Sequence, residues 1–187
     1  MVKKIIITGG LGYIGTELCK LYSGVSWHHK IIVIDNRFVS ERVNQIRNWN
    51  MEFIHGDILD KELVNKYFKD ADVVHHLAGV TNVPRTKNES NPDKDKMIKT
   101  VGVDGTQNIL NAISSKCKII FPSTHVVFEG LNDVKNDITE DEATKPVLSY
   151  STSKAINEDQ LKRSGKNYII LRLGSVYGYS TDSMRLD

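Results

Sequence analysis

Tyr150 and Lys154 stand four residues apart in "YSTSK", at the head of a stretch with helical patterning. That spacing puts both side chains on one helix face. A phenol has a pKa of about 10 and is a poor base at neutral pH. A neighbouring ammonium favours the phenolate by about 1–3 units. Tyr150 could then exchange a proton with a substrate hydroxyl or carbonyl. Upstream, "PST" places Ser123 and Thr124 at the carboxyl end of an apolar run. Thr124 could hydrogen-bond the same substrate oxygen and orient it. A Tyr–Lys pair at this spacing is common by chance; its position after such a strand end gives it weight.

A second cluster lies near the start, where "IIITGGLGYIG" runs three isoleucines into glycines. Gly9, Gly12 and Gly15 follow a GxxGxxG spacing, with Gly10 as an extra. Between a strand and a helix, one glycine permits a tight turn and another lets the backbone approach a pyrophosphate. A third lets helix and sheet pack closely. The helix start offers N–H groups and a positive dipole end to the phosphates. Glycines alone are weak evidence. Asp35 supplies the companion, an acid about 20 residues after Gly15 at a strand end, where it can accept from ribose hydroxyls. A carboxylate there repels a 2′-phosphate and favours NAD over NADP; Arg37 weakens that preference. Lys154 could also hold the nicotinamide ribose.

These residues need a scaffold that brings strand ends together. Apolar runs alternate with amphipathic stretches, the βαβ signature. The strands expected are "KIIITGG", "KIIVIDN", "MEFIHGD", "ADVVHHLAG", "KIIFPST" and "YIILRLG". Helices are expected over Gly12 to Leu21, "SERVNQIRNW", Asp60 to Phe68 with Asp60 as cap, and Ser149 to Arg163. A long one covers Pro92 to Ser114, with Met97, Val101, Ile109 and Ile113 near one face. Short apolar strands suit a parallel sheet covered on both faces, an α/β doubly wound Rossmann fold. The polar segments "TNVPRTKNESNPDKDK" and "EGLNDVKNDITEDEATKP" read as loops after strands, where such sheets form their binding crevice.

Bulk composition narrows the function. Basic residues number 25 against 23 acidic, so no concentrated positive charge points to nucleic acid. Cys19 and Cys117 lack metal-type spacing and read as free thiols in a reducing cytoplasm. No apolar run approaches the roughly 18 residues of a membrane span. The start does not read as a signal peptide, because glycine soon interrupts the apolar run after Lys3 and Lys4. His75 and His76 adjoin in one strand and so point to opposite faces, which excludes joint metal chelation. His28 and His29 lack a third ligand, and no metal site is expected. Trp27 and Trp49 are expected to pack.

Taken in order, the motifs resemble the extended short-chain dehydrogenase/reductase family, in its NAD-dependent sugar-nucleotide epimerase/dehydratase branch. They are "TGGLGYIG", Asp35–Asn36, "GDI" at Gly56–Ile58, "HLAG" at His76–Gly79, "GTQNIL", "PSTHVVFEG", "YSTSK" and "LRLGSVYG". The resemblance implies that Gly9, Gly12, Gly15 and the backbone around Tyr13 and Ile14 line a pyrophosphate. It places Asp35 and Asn36 at the adenosine ribose and Asp57 and Ile58 beside the adenine. Leu77, Ala78 and Gly79 would pass under the cofactor near its nicotinamide. Thr124, Tyr150 and Lys154 match the catalytic Ser/Thr, Tyr and Lys. Usual substrates are nucleotide-activated sugars, and homodimers form through helices here near 95–114 and 149–163.

The departures matter as well. Dehydratases of the family carry an Asp–Glu pair after the catalytic Ser/Thr, and decarboxylases a nearby Glu. Here His125 and Val126 follow Thr124, which leaves epimerisation or simple redox. His125 is expected to have no proton-transfer role. Gly102 stands where relatives have Asn in "NVxGT", and Ser175 where they often have the Asn of "NVYG". Glu140, Asp141 and Glu142 resemble the acid that precedes the catalytic tyrosine, though a solvated loop is expected. The family continues for another hundred residues or more, which grip the sugar. Residues 1–187 are therefore expected to be an NAD-binding Rossmann domain, truncated before the substrate domain. The leading expectation is an NAD-dependent epimerase working through a transient keto intermediate, with Tyr150 as acid/base. A reductase or dehydrogenase with net redox, and a non-catalytic NAD sensor or scaffold, stay open.

Overall fold

A computed structural model describes residues 1–80, 86–133 and 135–178. β1 (Lys4–Thr8) leads through a glycine turn into α1 (Tyr13–Ser23). β2 (Lys30–Asp35), α2 (Ser40–Asn48), β3 (Glu52–His55), α3 (Lys61–Phe68) and β4 (Val73–His76) follow. Next come α4 (Pro92–Lys99), a π-helical turn at Thr100–Asp104, and α5 (Gly105–Ala112). The last described elements are β5 (Lys118–Thr124), α6 (Ser149–Arg163) and β6 (Asn167–Leu173).

The strands form one parallel sheet in the order β3-β2-β1-β4-β5-β6. Strand order reverses between β1 and β4, and the crevice of such a sheet opens at that switch point. Thr8 is level with Ile34 on one side and His76 on the other. Thr124 is level with Leu173. The register thus sets the nominated strand ends along one edge of the sheet.

Alternation along the strands builds two cores. Ile6, Ile32, Ile34 and Val74 face α3, α5 and α6, in a layer with Phe68, Ile109, Ile119 and Leu161. Ile5, Ile7, Ile31 and Val33 face the other way, with Cys19, Val43 and Ile46 of α1 and α2. Each such aliphatic side chain, fully buried, contributes about 1.5–3 kcal/mol. Burial also pushes the Cys19 thiol up to about 12 and the Cys117 thiol up to about 11. Asp60 caps α3 by accepting from the Glu62 and Leu63 amides. Asn91 caps α4 ahead of Pro92.

Three expectations change. The helix expected over Pro92 to Ser114 is broken by the π turn and ends at Ala112. A π turn alters the angular step, so a face drawn through an unbroken helix is not kept: Ile98 is buried and Met97 is 48% exposed. Trp49 packs against the α1–α2 core, but Trp27 is 75% exposed and is no packing residue. Of the two expected loops, residues 81–85 and Val134 lie outside the described residues, as does the tail 179–187. The first loop is partly helical, since α4 begins at Pro92.

Candidate active site

Every residue nominated from the sequence as catalytic or cofactor-binding lines one cleft of about 580 Å³ at the carboxyl ends of the strands. Its floor begins at the turn after β1. Gly9 has φ +67°, and a Cβ there would stand 2.8 Å from the Ala78 amide nitrogen. A Cβ on Gly15 would stand 2.3 Å from the Gly9 carbonyl oxygen. Glycine is therefore required at both positions, by conformation at one and by close approach at both. Gly12, Tyr13, Ile14 and Gly15 all line the cleft where α1 begins, with no side-chain cap. The leading amides of a helix have no partner within it, so this turn is built to meet an anion.

The next part of the cleft holds Asp35, Asn36, Asp57 and Ile58. Asp35 is buried at the end of β2. Its Oδ2 accepts from the Leu11 amide at 3.0 Å, and its Oδ1 from the Arg37 amide at 3.0 Å. The Arg37 guanidinium also turns back to Asp35 at 3.5 Å, so its charge is partly neutralised there. Arg42 donates to the Leu11 carbonyl and ties α2 to the glycine turn. Asn36 donates to Asp57 at 3.0 Å, linking the ends of β2 and β3.

Leu77, Ala78 and Gly79 carry the lining past β4 to Thr124, Tyr150 and Lys154. Thr124 Oγ1 accepts from the Val126 amide at 3.3 Å, which leaves its O–H as a donor. Lys154 Nζ donates to the Pro122 carbonyl at 2.8 Å and sits 4.3 Å from the centre of the Phe121 ring. It is 5.9 Å from the centre of the Tyr150 ring. Burial pulls the Lys154 ammonium down to about 8, opposed by the Glu158 carboxylate one turn along the helix. Burial pushes the Tyr150 phenol above its ordinary value. The expected lowering by the ammonium is not present, because Lys154 is turned toward β5 and desolvation dominates.

The model of the NAD dependent epimerase/dehydratase family matches residues 5–186. The chain belongs to this family. CDP-paratose 2-epimerase of Salmonella typhi is 32% identical over 205 residues, covering 94% of this chain and 58% of that protein. UDP-glucose 4-epimerase of Mycoplasma genitalium is 29% identical, covering 94% and 53%. Among solved structures, UDP-glucuronic acid 4-epimerase from Bacillus cereus in complex with NAD superposes with a TM-score of 0.76. It is 26% identical, covering 94% of this chain and 57% of that one. The chain thus spans about half the length of the relatives it matches.

For a member of the NAD-dependent epimerase/dehydratase family, the supports around the tyrosine are as informative as the tyrosine. Glu129, from the turn after β5, accepts from the Val147 and Leu148 amides at 2.8 and 2.7 Å and from the Ser151 hydroxyl. Burial opposes its charge, but those donors hold the carboxyl below the usual range. Glu129 thereby anchors the segment that enters α6 just ahead of Tyr150. Asp95 of α4 accepts from the Ser149 and Ser90 hydroxyls, which hold it low as well. Neither acid was identifiable from spacing. Glu158 was within reach, since it continues the Tyr150 and Lys154 face by a further four residues. It is buried, accepting from Ser123 at 2.6 Å and from Arg172 at 2.7 Å. Burial would raise its pKa, but these donors outweigh it and hold the carboxyl low.

The departures also find their places. His125 is not on the cleft lining; its Nδ1 lies 3.2 Å from the Leu173 carbonyl. Glu140 and Asp141 are exposed, and Glu142 pairs with Lys135. Gly102 lies within the π turn, where a Cβ would stand 2.2 Å from Ser153 Oγ of α6. Its carbonyl accepts from Asn157 Nδ2 at 3.0 Å, so an amide reaches this turn from the neighbouring helix. Ser175 is exposed after β6. No helix among the described residues is long and apolar enough to cross a membrane.

Proposed function

We propose that the protein is an NAD-dependent epimerase acting on a nucleotide-activated sugar through a transient keto intermediate. The observation that carries this reading is convergence: Thr124, Tyr150 and Lys154 open onto the same cleft as the glycine turn and Asp35. Gly9, Gly12 and Gly15, with Tyr13 and Ile14, would hold the pyrophosphate. Asp35 and Asn36 would take the adenosine ribose, Asp57 and Ile58 the adenine. Leu77, Ala78 and Gly79 would lie under the nicotinamide. The cradle fits this group, since no side chain could enter at Gly9 or Gly15 without displacing backbone. NAD, when bound, takes a hydride from the sugar carbon and returns it to the other face.

Tyr150 as phenolate accepts the sugar hydroxyl proton while the C–H hydride leaves, so the carbon is oxidised to a ketone. The ketone turns over in the cleft, regains the hydride on the opposite face, and its oxygen recovers the proton from Tyr150. Lys154, which donates to the Pro122 carbonyl in this structure, would have to turn toward Tyr150 to stabilise the phenolate, and would hold the nicotinamide ribose. The Thr124 hydroxyl donates to the reacting oxygen. Net redox is zero.

Within this reading residues 1–187 form the NAD-binding Rossmann domain of a cytoplasmic enzyme. The helices near 95–114 and 149–163 would make a homodimer, with Met97 and Ile156 exposed on them. In the full-length protein, Tyr150→Phe should abolish turnover and leave NAD binding intact. Normal turnover in that variant would sink the mechanism. Net NADH formation on adding a sugar nucleotide would instead establish a dehydrogenase.

A further inference from the structure

His76 ends β4, is 1% exposed and is not on the cleft lining. Its Nδ1 is 3.0 Å from Thr8 Oγ1 and its Nε2 is 2.9 Å from Thr106 Oγ1 of α5. The hydrogen positions follow from the neighbours. Thr106 donates its hydroxyl to the Gly102 carbonyl at 2.6 Å. A hydroxyl has one hydrogen, so Thr106 Oγ1 must accept from His76, and Nε2 carries the proton. Burial, and then the charge of Lys154, pull the His76 pKa down to about 3, so the ring is neutral. Nδ1 therefore accepts, and the Thr8 hydroxyl donates to it. Thr8 Oγ1 in turn accepts the Ala78 amide at 3.0 Å.

The result is a directed chain from the Ala78 amide through Thr8, His76 and Thr106 to the Gly102 carbonyl. Both ends meet the cleft. Ala78 lines it directly. At the other end Asn157, three residues after Lys154, donates to the same Gly102 carbonyl at 3.0 Å. A Cβ on Gly102 would stand 2.2 Å from Ser153 Oγ, so a side chain there would have to displace that hydroxyl. Phe121, whose ring also receives Lys154, packs 5.6 Å from the His76 ring.

We propose that His76 is a positioning residue, fixed as its neutral Nε2–H tautomer. It locks the cofactor-facing end of β4 to the π turn, and through it to the face of α6 that carries Lys154. The effect on turnover rests on the reading of Tyr150 and Lys154 given above; the tautomer does not.

Thr106→Val cuts the chain at nearly constant volume, and Thr106→Ser keeps it. Nitrogen-15 NMR of the histidine side chains should show His76 as the neutral Nε2–H form from pH 8 to pH 5 in the parent and in Thr106→Ser. In Thr106→Val that tautomer should no longer dominate. Misplacement on the ångström scale costs up to about 10²-fold in rate, so kcat in Thr106→Val should fall by about tenfold. The sugar-nucleotide KM should stay within about twofold, and Thr106→Ser should recover kcat to within about twofold. His76→Gln should show the same split between kcat and KM. An Nδ1–H tautomer, a ring that titrates in this range, or a Thr106→Val variant that only melts earlier at full kcat would overturn the inference. If the full-length parent turns over no sugar nucleotide, the functional reading has failed. The tautomer and an NAD titration then decide, with Thr106→Val expected to bind NAD about fivefold more weakly.

Discussion

Gly15→Ala is the most direct probe of the turn that opens the cleft, because two physical effects predict opposite signs. Gly15 is the third residue of α1. In an unobstructed helix, alanine in place of glycine would stabilise by about 1 kcal/mol. Here the new Cβ would lie 2.3 Å from the Gly9 carbonyl oxygen and 2.7 Å from Gly10 Cα. Both are backbone atoms, and comfortable contact begins near ~3.5 Å, so α1 must retreat from the turn by about 1 Å. Overpacking of this kind costs about 1–3 kcal/mol, and a backbone-on-backbone clash belongs at the upper end. After the helix gain, a net loss of about 2 kcal/mol remains, or about 4–8 °C in Tm for a chain of this size. Gly24→Ala is the control. Gly24 sits in the right-handed region with nothing within 4 Å of an added Cβ, so its Tm should hold or rise slightly. Calorimetric melts of the three proteins, with NAD titrations, measure both consequences. Gly15→Ala should also bind NAD at least about tenfold more weakly, because the retreat moves the amides that face the pyrophosphate. A Gly15→Ala protein that melts at or above the parent, with unchanged NAD affinity, refutes the argument.

Other outcomes follow from burial and charge. Cys19 and Cys117, raised to about 12 and about 11, should resist iodoacetamide at pH 8 in the native protein and react in denaturant; fast native labelling of either would contradict their placement. His76 is lowered to about 3, so the unfolded chain binds the extra proton below its own value of about 6.5. Its contribution to stability should be full above pH ~6.5 and fall as pH drops toward 3, by at most about 1.4 kcal/mol per pH unit. Urea midpoints at pH 7, 6 and 5 should show that slope in the parent and lose it in His76→Gln. Asp35→Asn removes the charge that faces Arg37 and should narrow the preference for NAD over NADP, read from the ratio of the two dissociation constants.

Much of the fold was legible because its signals are local. Residues Ile5 to Ile7 and Ile31 to Ile34 alternate between the two cores, and the period-two pattern of a doubly buried strand is written in consecutive residues. The glycine turn, Asp35 and the Tyr150–Lys154 face were legible for the same reason, and all line one cleft. The strands expected at Lys118–Thr124 and the helix at Ser149–Arg163 hold to the residue. What escaped depends on register. The level pairing of Ser123 with Arg172 across β5 and β6 brings that arginine to Glu158, yet nothing in the sequence states the pairing. The π turn escaped because residues 100–104 carry no proline, a single glycine such as Gly102 is tolerated inside a helix, and its carbonyl is satisfied from another helix.

The same distinction explains why the supports differ in kind from the residues they support. Under the proposed function Tyr150, Lys154 and Thr124 present particular groups to a substrate, so their chemistry is visible as residue type. Glu129 and Glu158 need only reach particular donors, and Asn157 particular acceptors, so their value lies in where the fold delivers them. Glu129 occupies donors at 147 and 148, just ahead of α6, and at 151, one residue after Tyr150. Removing it would leave two amides at the head of α6 without that acceptor and loosen the turn that aims the phenol. A substitution there should therefore lower kcat before it abolishes folding, because the cores holding the sheet are made by other residues. Under the proposed function, the geometry of the reacting oxygen would thus be carried by acids that never touch it.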